Sequence, residues 1–242
     1  MKSIAVLSVA FYSEQFSRAF IGSFRKHYPE QLLVVVDNNM IETEDKEITE
    51  MGRRESRYLE QRNNGDFKFA LIQNESKNRS HGIGLDVGMK ALYSMGIEVA
   101  ITVDIDSVFL KPGLINKCLE LYGRGYMIGG RQHYPHKERA YSYVHPSLAM
   151  YDVFMASHHS FEDEAQAGAK STGEELDFQF MMNDAREFSS REIEQYVHHF
   201  GGGSVLRLGA NFCRQKLLND KGYQKKLLEY FDREDVKEWT SC

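Results

Sequence analysis

Asp104 and Asp106 stand one residue apart, just beyond the apolar run Val99-Ala100-Ile101-Thr102-Val103. The run reads as a buried strand. Alternate residues of a strand point the same way, so the two carboxylates leave its end together and converge on one point. Two hard oxygen donors at one point suit Mg²⁺ or Mn²⁺. An ion held by few protein ligands keeps positions open for phosphate oxygens, and so can stabilise a diphosphate leaving group. Taken alone, Asp-x-Asp is also a common solvated strand end, and its surroundings decide between the two.

Four further segments carry candidate chemistry. His198 and His199 precede the run Gly201-Gly202-Gly203. Either imidazole suits the same metal ion, but neighbours on a strand face opposite ways, so only one of the two is expected to bind. Asp37 follows Val34-Val35-Val36. Ligands of open α/β sheets bind beyond the carboxyl ends of strands, so Asp37 can hold a base or ribose, or simply make a turn. The segment from Asn78 to Asp86 opens a helix. Arg79 offers a cation for phosphate, and Gly82 and Gly84 allow close approach at a helix N-terminus. It lacks the third glycine of a dinucleotide fingerprint and does not lie in the first strand–helix turn. Asp86 either reaches the nucleotide or is an ordinary surface acid. Glu174, Glu175 and Asp177 cluster where a loop meets a helix. A carboxylate there can act as general base on an acceptor hydroxyl, while Thr172 and Glu175 also have capping-box spacing. His133, His136, His145, His158 and His159 are scattered and read as structural or solvent-facing.

The elements that position these residues follow from periodicity. Residues 4–9, 32–36, 67–72 and 98–103 read as apolar strands. Helices are expected over 13–27, 42–62, 79–95 and from Pro112-Gly113 through Leu121, the second being charged and solvated with Ile48, Met51, Tyr58 and Leu59 inward. This alternation predicts a mostly parallel α/β sheet. Further on, strands are expected over 126–129, 148–156 and 196–200, a helix over 176–183, and loops over 132–144 and 162–175. The tail from Cys213 to Glu238 reads as helical.

Composition sets the class. The 242 residues are 42% hydrophobic and 27% charged, enough to bury a sizeable core. A net charge of −5 gives no basic footprint, which makes nucleic acid a poor first partner without excluding a local groove. Cys118, Cys213 and Cys242 are widely spaced, so structural zinc is not expected and reduced thiols are. The N-terminal apolar run reads as a strand instead of a signal peptide, and no segment reaches the roughly 18 apolar residues of a membrane span. A cytoplasmic protein is expected.

Taken in order, Asp37, Arg79 to Asp86, Asp104-Ile105-Asp106, Glu174-Glu175 and His198-His199 resemble a glycosyltransferase of the GT-A fold, of the broad family-2-like group. The resemblance covers roughly residues 3 to 205. It implies a GT-A type (Rossmann-like) α/β fold: a mostly parallel sheet flanked by helices, with a C-terminal helical tail. It implies a domain over 1–210, with a nucleotide-sugar half at 1–110, an acceptor half at 111–210 and a helical extension at 211–242. Asp104 and Asp106 would bind Mn²⁺ or Mg²⁺ and the diphosphate of a nucleotide-sugar donor, and His198 or His199 would complete the metal site. Asp37 would hold the base, Arg79 through Asp86 the phosphates, and Glu175, Glu174 or Asp177 would supply the catalytic base. The acceptor, a glycan, a lipid-linked precursor, a protein or a small molecule, would lie between residues 141–152 and a lid at 161–175.

Two departures from the family pattern stand out. Asp37-Asn38-Asn39-Met40 replaces an Asp-Gly-Ser-x-Asp type turn, and Glu174-Glu175 replaces a Glu-Asp pair. Three rivals share parts of the pattern. A haloacid-dehalogenase-like phosphohydrolase also uses Asp-x-Asp after an apolar strand, usually near the start of its domain. A nucleotidyltransferase would carry an early Gly-rich, Arg-containing loop where this chain has Ala10-Phe11-Tyr12-Ser13. A non-catalytic nucleotide or glycan binder would have no need of both aspartates and a late histidine.

Overall fold

Seven strands of mostly β-branched and aliphatic residues build one sheet with helices on both faces. The computed structural model describes residues 2–12, 14–39, 42, 44, 46–66, 68–76, 79–133, 143–162 and 173–199. The first half alternates strand and helix: β1 (Ile4–Ala10), α1 (Glu14–His27), β2 (Leu33–Asp37), α2 (Lys46–Gly65), β3 (Phe69–Gln73), α3 (His81–Ser94) and β4 (Val99–Val103). The second half holds β5 (Ser107–Phe109), α4 (Leu114–Gly123), β6 (Tyr126–His133), β7 (Tyr143–Asp152), α5 (Val153–Ser157), α6 (Glu174–Met182), β8 (Arg186–Ser189) and β9 (Val197–His199).

The strand order is β3-β2-β1-β4-β7-β6-β8. The four strands of the first half are mutually parallel. β7 runs antiparallel to β4 and β6, and β8 is parallel to β6. β1, β2 and β4 are buried along their whole length, as strands covered on both faces must be. β5 and β9 leave this sheet and pair antiparallel with each other. Phe20, Phe24, Leu59, Ile101, Cys118 and Leu121 belong to the core on one face, and Leu7, Val9, Leu85, Met89, Tyr151 and Phe180 to the core on the other.

α3 lies unusually close to the sheet because glycines face it. A β carbon on Gly84 would lie 2.6 Å from Val9 Cγ1, and one on Gly88 2.5 Å from Leu7 Cδ1. One on Gly82 would meet the Phe161 carbonyl at 2.8 Å. The glycines read as room for a phosphate thus make room for protein. The β5 strand is equally fixed. Phe109 sits among Phe20, Phe24 and Tyr28 of the α1 region, with ring centroids 5.1–5.7 Å away.

Several expectations need correction. β5 and β8 were not anticipated; each is too short to show a period. The expected strand over 148–156 is instead the end of β7 and the start of α5. Asp152 separates them by capping α5, its Oδ1 accepting from Met155 N at 2.9 Å. β7 begins at Tyr143, inside the expected loop, and is a central strand buried along its length except at His145. The charged α2 is more than a solvated face, for Glu55 is fully buried and accepts from Ser17 Oγ at 2.5 Å. Residues 163–172 of the expected lid, and the expected helical extension at 211–242, lie outside the described residues. No helix among the described residues is long and apolar enough to cross a membrane.

Phe109→Ala removes the ring that anchors β5. It is expected to cost about 3–5 kcal/mol of unfolding free energy in urea titration. A cost below about 1 kcal/mol would show that β5 is held by something else.

Candidate metal and donor site

The site begins where β4 stops. Asp104 N donates to the Ser147 carbonyl at 3.0 Å, the last bond from this segment to β7. The chain then turns, burying Ile105 in the core, and enters β5 at Ser107. β9 returns alongside, with Ser107 opposite His199 and Val108 opposite His198. That register sets His199 next to Asp106. His199 Nε2 lies 3.3 Å from Asp104 Oδ2 and 3.1 Å from Asp106 Oδ1. One ligand atom from each of the three lies within 4.8 Å of the others. His198, one residue back, is not in this group. Of the two adjacent histidines, the alternation along the strand thus turns His199 toward the carboxylates.

Two carboxylates so close require positive charge. His81, the first residue of α3, brings Nε2 to 3.3 Å from Asp104 Oδ1. Burial alone would push the Asp104 carboxyl up, but His81, His199 and His145 outweigh it and hold Asp104 well below the usual carboxylate range. For His199, burial opposes the charge, while Asp104 and Asp106 raise its pKa to about 9. On the far side of this ring, Arg131 Nη1 sits 2.6 Å from Nδ1.

The donor set fits a hard divalent ion. It offers two carboxylates and one imidazole, the side chains being 8–21% exposed. Among the described residues, Asp104 Oδ1 and His199 Nε2 are buried and complete no hydrogen bond of good geometry. Inward-facing ligand atoms without a hydrogen-bond partner are what an ion would satisfy.

The other expected residues have their own partners. Asp37 is 2% exposed, and its Oδ1 accepts from Asn39 N at 3.0 Å and Asn39 Nδ2 at 2.8 Å. Asn39 Oδ1 in turn accepts from Tyr12 N at 2.6 Å, holding Tyr12 at φ 53° beyond the end of β1. The Arg79 guanidinium donates to the Asn74 carbonyl. Asp86 Oδ2 accepts from Ser160 Oγ at 2.5 Å and its Oδ1 from Phe161 N at 2.7 Å. Asp86 therefore clamps the 158–162 segment onto α3, and burial, partly offset by these bonds, raises its carboxyl. Glu162, next in that segment, accepts from Ser80 Oγ, the N-cap of α3. Glu174 and Glu175 lie in the first turn of α6. Asp177 is 1% exposed. Burial and Glu187 push it up to about 7, with the Val144 backbone N–H partly offsetting them.

Sequence reasoning missed His81, Arg131, Tyr12 and Glu162. His81 was legible as the residue after an N-capping serine, since N-cap Ser80 accepts from Ile83 N. The other three depend on long-range pairing and left no local signal.

No protein-family model matches the chain, and no curated protein matches it. Among solved structures it is similar to S. aureus TarS, at 14% identity and a TM-score of 0.55, over 96% of this chain and 43% of that one. It also matches residues 1–349 of TarS solved alone and with UDP, at 15% identity and TM-scores of 0.55 and 0.54, over 96% of this chain and 71% of theirs. The chain thus spans less than half the length of TarS. Identities this low speak to the fold, and the shared fold is the GT-A type mostly parallel sheet flanked by helices.

Asp177 gives a pH signature. Its folded pKa of about 7 exceeds the unfolded value, so the folded chain binds the extra proton between them. Its contribution is therefore full at low pH and lost as pH rises from roughly 4 to 7, on the order of 4 kcal/mol in all. Asp177→Asn is expected to gain stability relative to wild type across that window and to stay level above it. A wild-type-to-variant difference that is flat from pH 4.5 to 7.5 in urea titrations would rule this out.

Proposed function

We propose that this chain is a glycosyltransferase that moves a sugar from a nucleoside-diphosphate donor to an acceptor hydroxyl, with Mn²⁺ or Mg²⁺ held by Asp104, Asp106 and His199. One observation carries the reading. The Asp-x-Asp pair and a histidine from a distant strand converge just beyond the carboxyl end of β4. In the strand order β3-β2-β1-β4, the chain turns back between β1 and β4, which is where open α/β sheets bind ligands. A neighbour of the same fold solved with UDP supports a uridine donor as the first to test.

When bound, the ion neutralises charge on the diphosphate as it leaves. The protein groups around it divide the remaining work. Asp104 and Asp106 fix the ion's position beyond β4. His81, at the start of α3, directs an N–H toward the same point and supports the phosphate oxygens. Asp37 acts on the nucleotide through Asn39 and Tyr12, whose strained backbone is held beyond β1. Arg79 and Asp86 shape the α3 entrance. The base is Glu175, with Glu174 beside it. Asp177 is too buried to meet an acceptor and is half-protonated near neutral pH. The Glu175 carboxylate takes the acceptor's proton as its oxygen attacks the anomeric carbon, and the nucleoside diphosphate departs from the opposite side.

A thermal melt with UDP, with and without Mn²⁺, tests the donor site. At ~100 times its Kd a ligand adds about 2.7 kcal/mol. The shift should require Mn²⁺ and disappear in Asp106→Ala, and a shift retained in that variant would refute the metal assignment. Glu175→Gln should lower kcat for transfer on the order of 10²–10⁴-fold while leaving the UDP shift intact. Full transfer by Glu175→Gln would move the base elsewhere. Hydrolysis of a phosphate monoester lost in Asp104→Asn, without sugar transfer by wild type, would favour the phosphohydrolase.

A further inference from the structure

Phe161 joins two helices through its own backbone. Its N–H donates to Asp86 Oδ1 of α3 at 2.7 Å, and its carbonyl accepts from Gly173 N at 3.0 Å. Gly173 is the N-cap of α6, at φ 85°, and its carbonyl accepts from Asp177 N at 3.0 Å in the first turn of that helix. One hydrogen-bonded path thus runs from Asp86 through Phe161 and Gly173 into the turn that contains Glu174 and Glu175.

The two ends of α6 are held differently. Leu176 and Phe180 are fully buried and fix how the helix lies on the core. The first turn of a helix leaves N–H groups unpaired and frays unless something anchors it, and Gly173 has no side chain with which to cap it. Its anchor is the Phe161 carbonyl. Phe161 is in turn fixed, fully buried with its ring centroid 5.2 Å from that of Tyr151. Gly82 leaves room for this on α3, since a β carbon there would lie 2.8 Å from the Phe161 carbonyl oxygen. Asp86 is buried, and each of its oxygens already has a protein donor, Phe161 N on one and Ser160 Oγ on the other. α3 is also the helix whose first residue, His81, stands 3.3 Å from Asp104. The helix beside the metal group and the helix that carries the proposed base are therefore tied together at one buried carboxylate.

We propose that Asp86 is a positioning residue for the base: by holding Phe161, and through it the first turn of α6, it sets where Glu175 stands relative to the donor. The inference rests on the role proposed above for Glu175. A displacement of about 1 Å at a reacting group costs on the order of 10²-fold in rate, so a remote anchor of this kind acts on turnover more than on binding.

Amide hydrogen exchange on the full chain reads the path directly. Asp86→Ala should speed exchange at Gly173 and Asp177 by about tenfold or more, while Asn183 at the other end of α6 keeps its rate. Unchanged exchange at Gly173 overturns the inference. Turnover is read as UDP released from a panel of UDP-hexoses in Mn²⁺, with water as acceptor. Asp86→Ala should lower kcat on the order of 10²-fold and keep the Mn²⁺-dependent UDP melt shift. Loss of that shift would assign Asp86 to the donor instead, and overturns the inference. Asp86→Asn keeps an oxygen for Phe161 N and an amide for Ser160 Oγ, and should stay within about threefold of wild type. Adding Asp86→Ala to Glu175→Gln should cost no more than about a further threefold, because a residue that acts through Glu175 has nothing left to act on. A full second loss in that double variant overturns the inference alone. Wild-type turnover by Glu175→Gln, or no UDP release by wild type, overturns it together with the reading of the base, and the melt shift then reports separately on the donor site. Should Asp86→Ala not fold, Asp86→Ser is read in its place, its hydroxyl being too short to reach Phe161 N.

Discussion

Two carboxylates fixed one residue apart on a tight turn repel each other, and relieving that repulsion is the constraint on which the rest of the site depends. At 4 Å a pair of like charges costs about 4 kcal/mol in a partly buried setting. Neither can be relieved by moving away, because Ile105 between them is fixed in the core and Asp104 N is bonded to β7. Cationic or proton-donating groups must come to them. They come from three separate parts of the chain: His81 from the start of α3, His145 from β7, and His199 from β9. The small β5–β9 ladder exists at the one place where it can deliver the last of these. Its register, with Ser107 opposite His199, is what brings imidazole to Asp106.

The same geometry explains why helix α3 is so rich in glycine. Its first residue can reach Asp104 only if the helix lies close on β1, and Gly84 and Gly88 allow that approach against Val9 and Leu7. The segment after α5 then closes over the helix's first turn. Asp86 holds it through Ser160 and Phe161, and Glu162 reaches the N-cap Ser80. A helix N-terminus favours negative charge. In this structure a protein carboxylate supplies it, so an incoming phosphate at α3 meets Glu162 as a competitor.

The first half of the fold was legible because its elements are local and periodic. Buried parallel strands such as Leu33–Asp37 read as continuous apolar runs, and the helices between them show a 3.6-residue period. The Asp-x-Asp pair was legible for the same reason: strand alternation alone predicts its convergence. The second half was harder. β8 is only four residues long, and β7 opens at Tyr143-Val144 with His145-Pro146 following, a start that the sequence assigns to the preceding loop. Site residues divided along the same line. Asp104, Asp106 and one of two adjacent histidines could be named from sequence. Arg131 could not, because it reaches His199 only through a bulge in a non-local ladder. Glu55 and Asp177 ran against composition, since charged residues are ordinarily outside and these two are buried.

The position and surroundings of Asp104 also bear on which reaction the fold performs. A phosphohydrolase of the aspartyl type needs its first aspartate free to attack phosphorus. Asp104 has one oxygen facing His81 and the other facing His199, each at 3.3 Å. A carboxylate flanked by imidazoles on both sides and held ionised far below neutral pH is a weak nucleophile, because the neighbouring positive charge stabilises it. The same features make it a good ligand, permanently charged and fixed in direction. Its strand tells the same story. The pair lies at the end of β4, beyond the point where the chain order turns back, with three strands already laid down beside it.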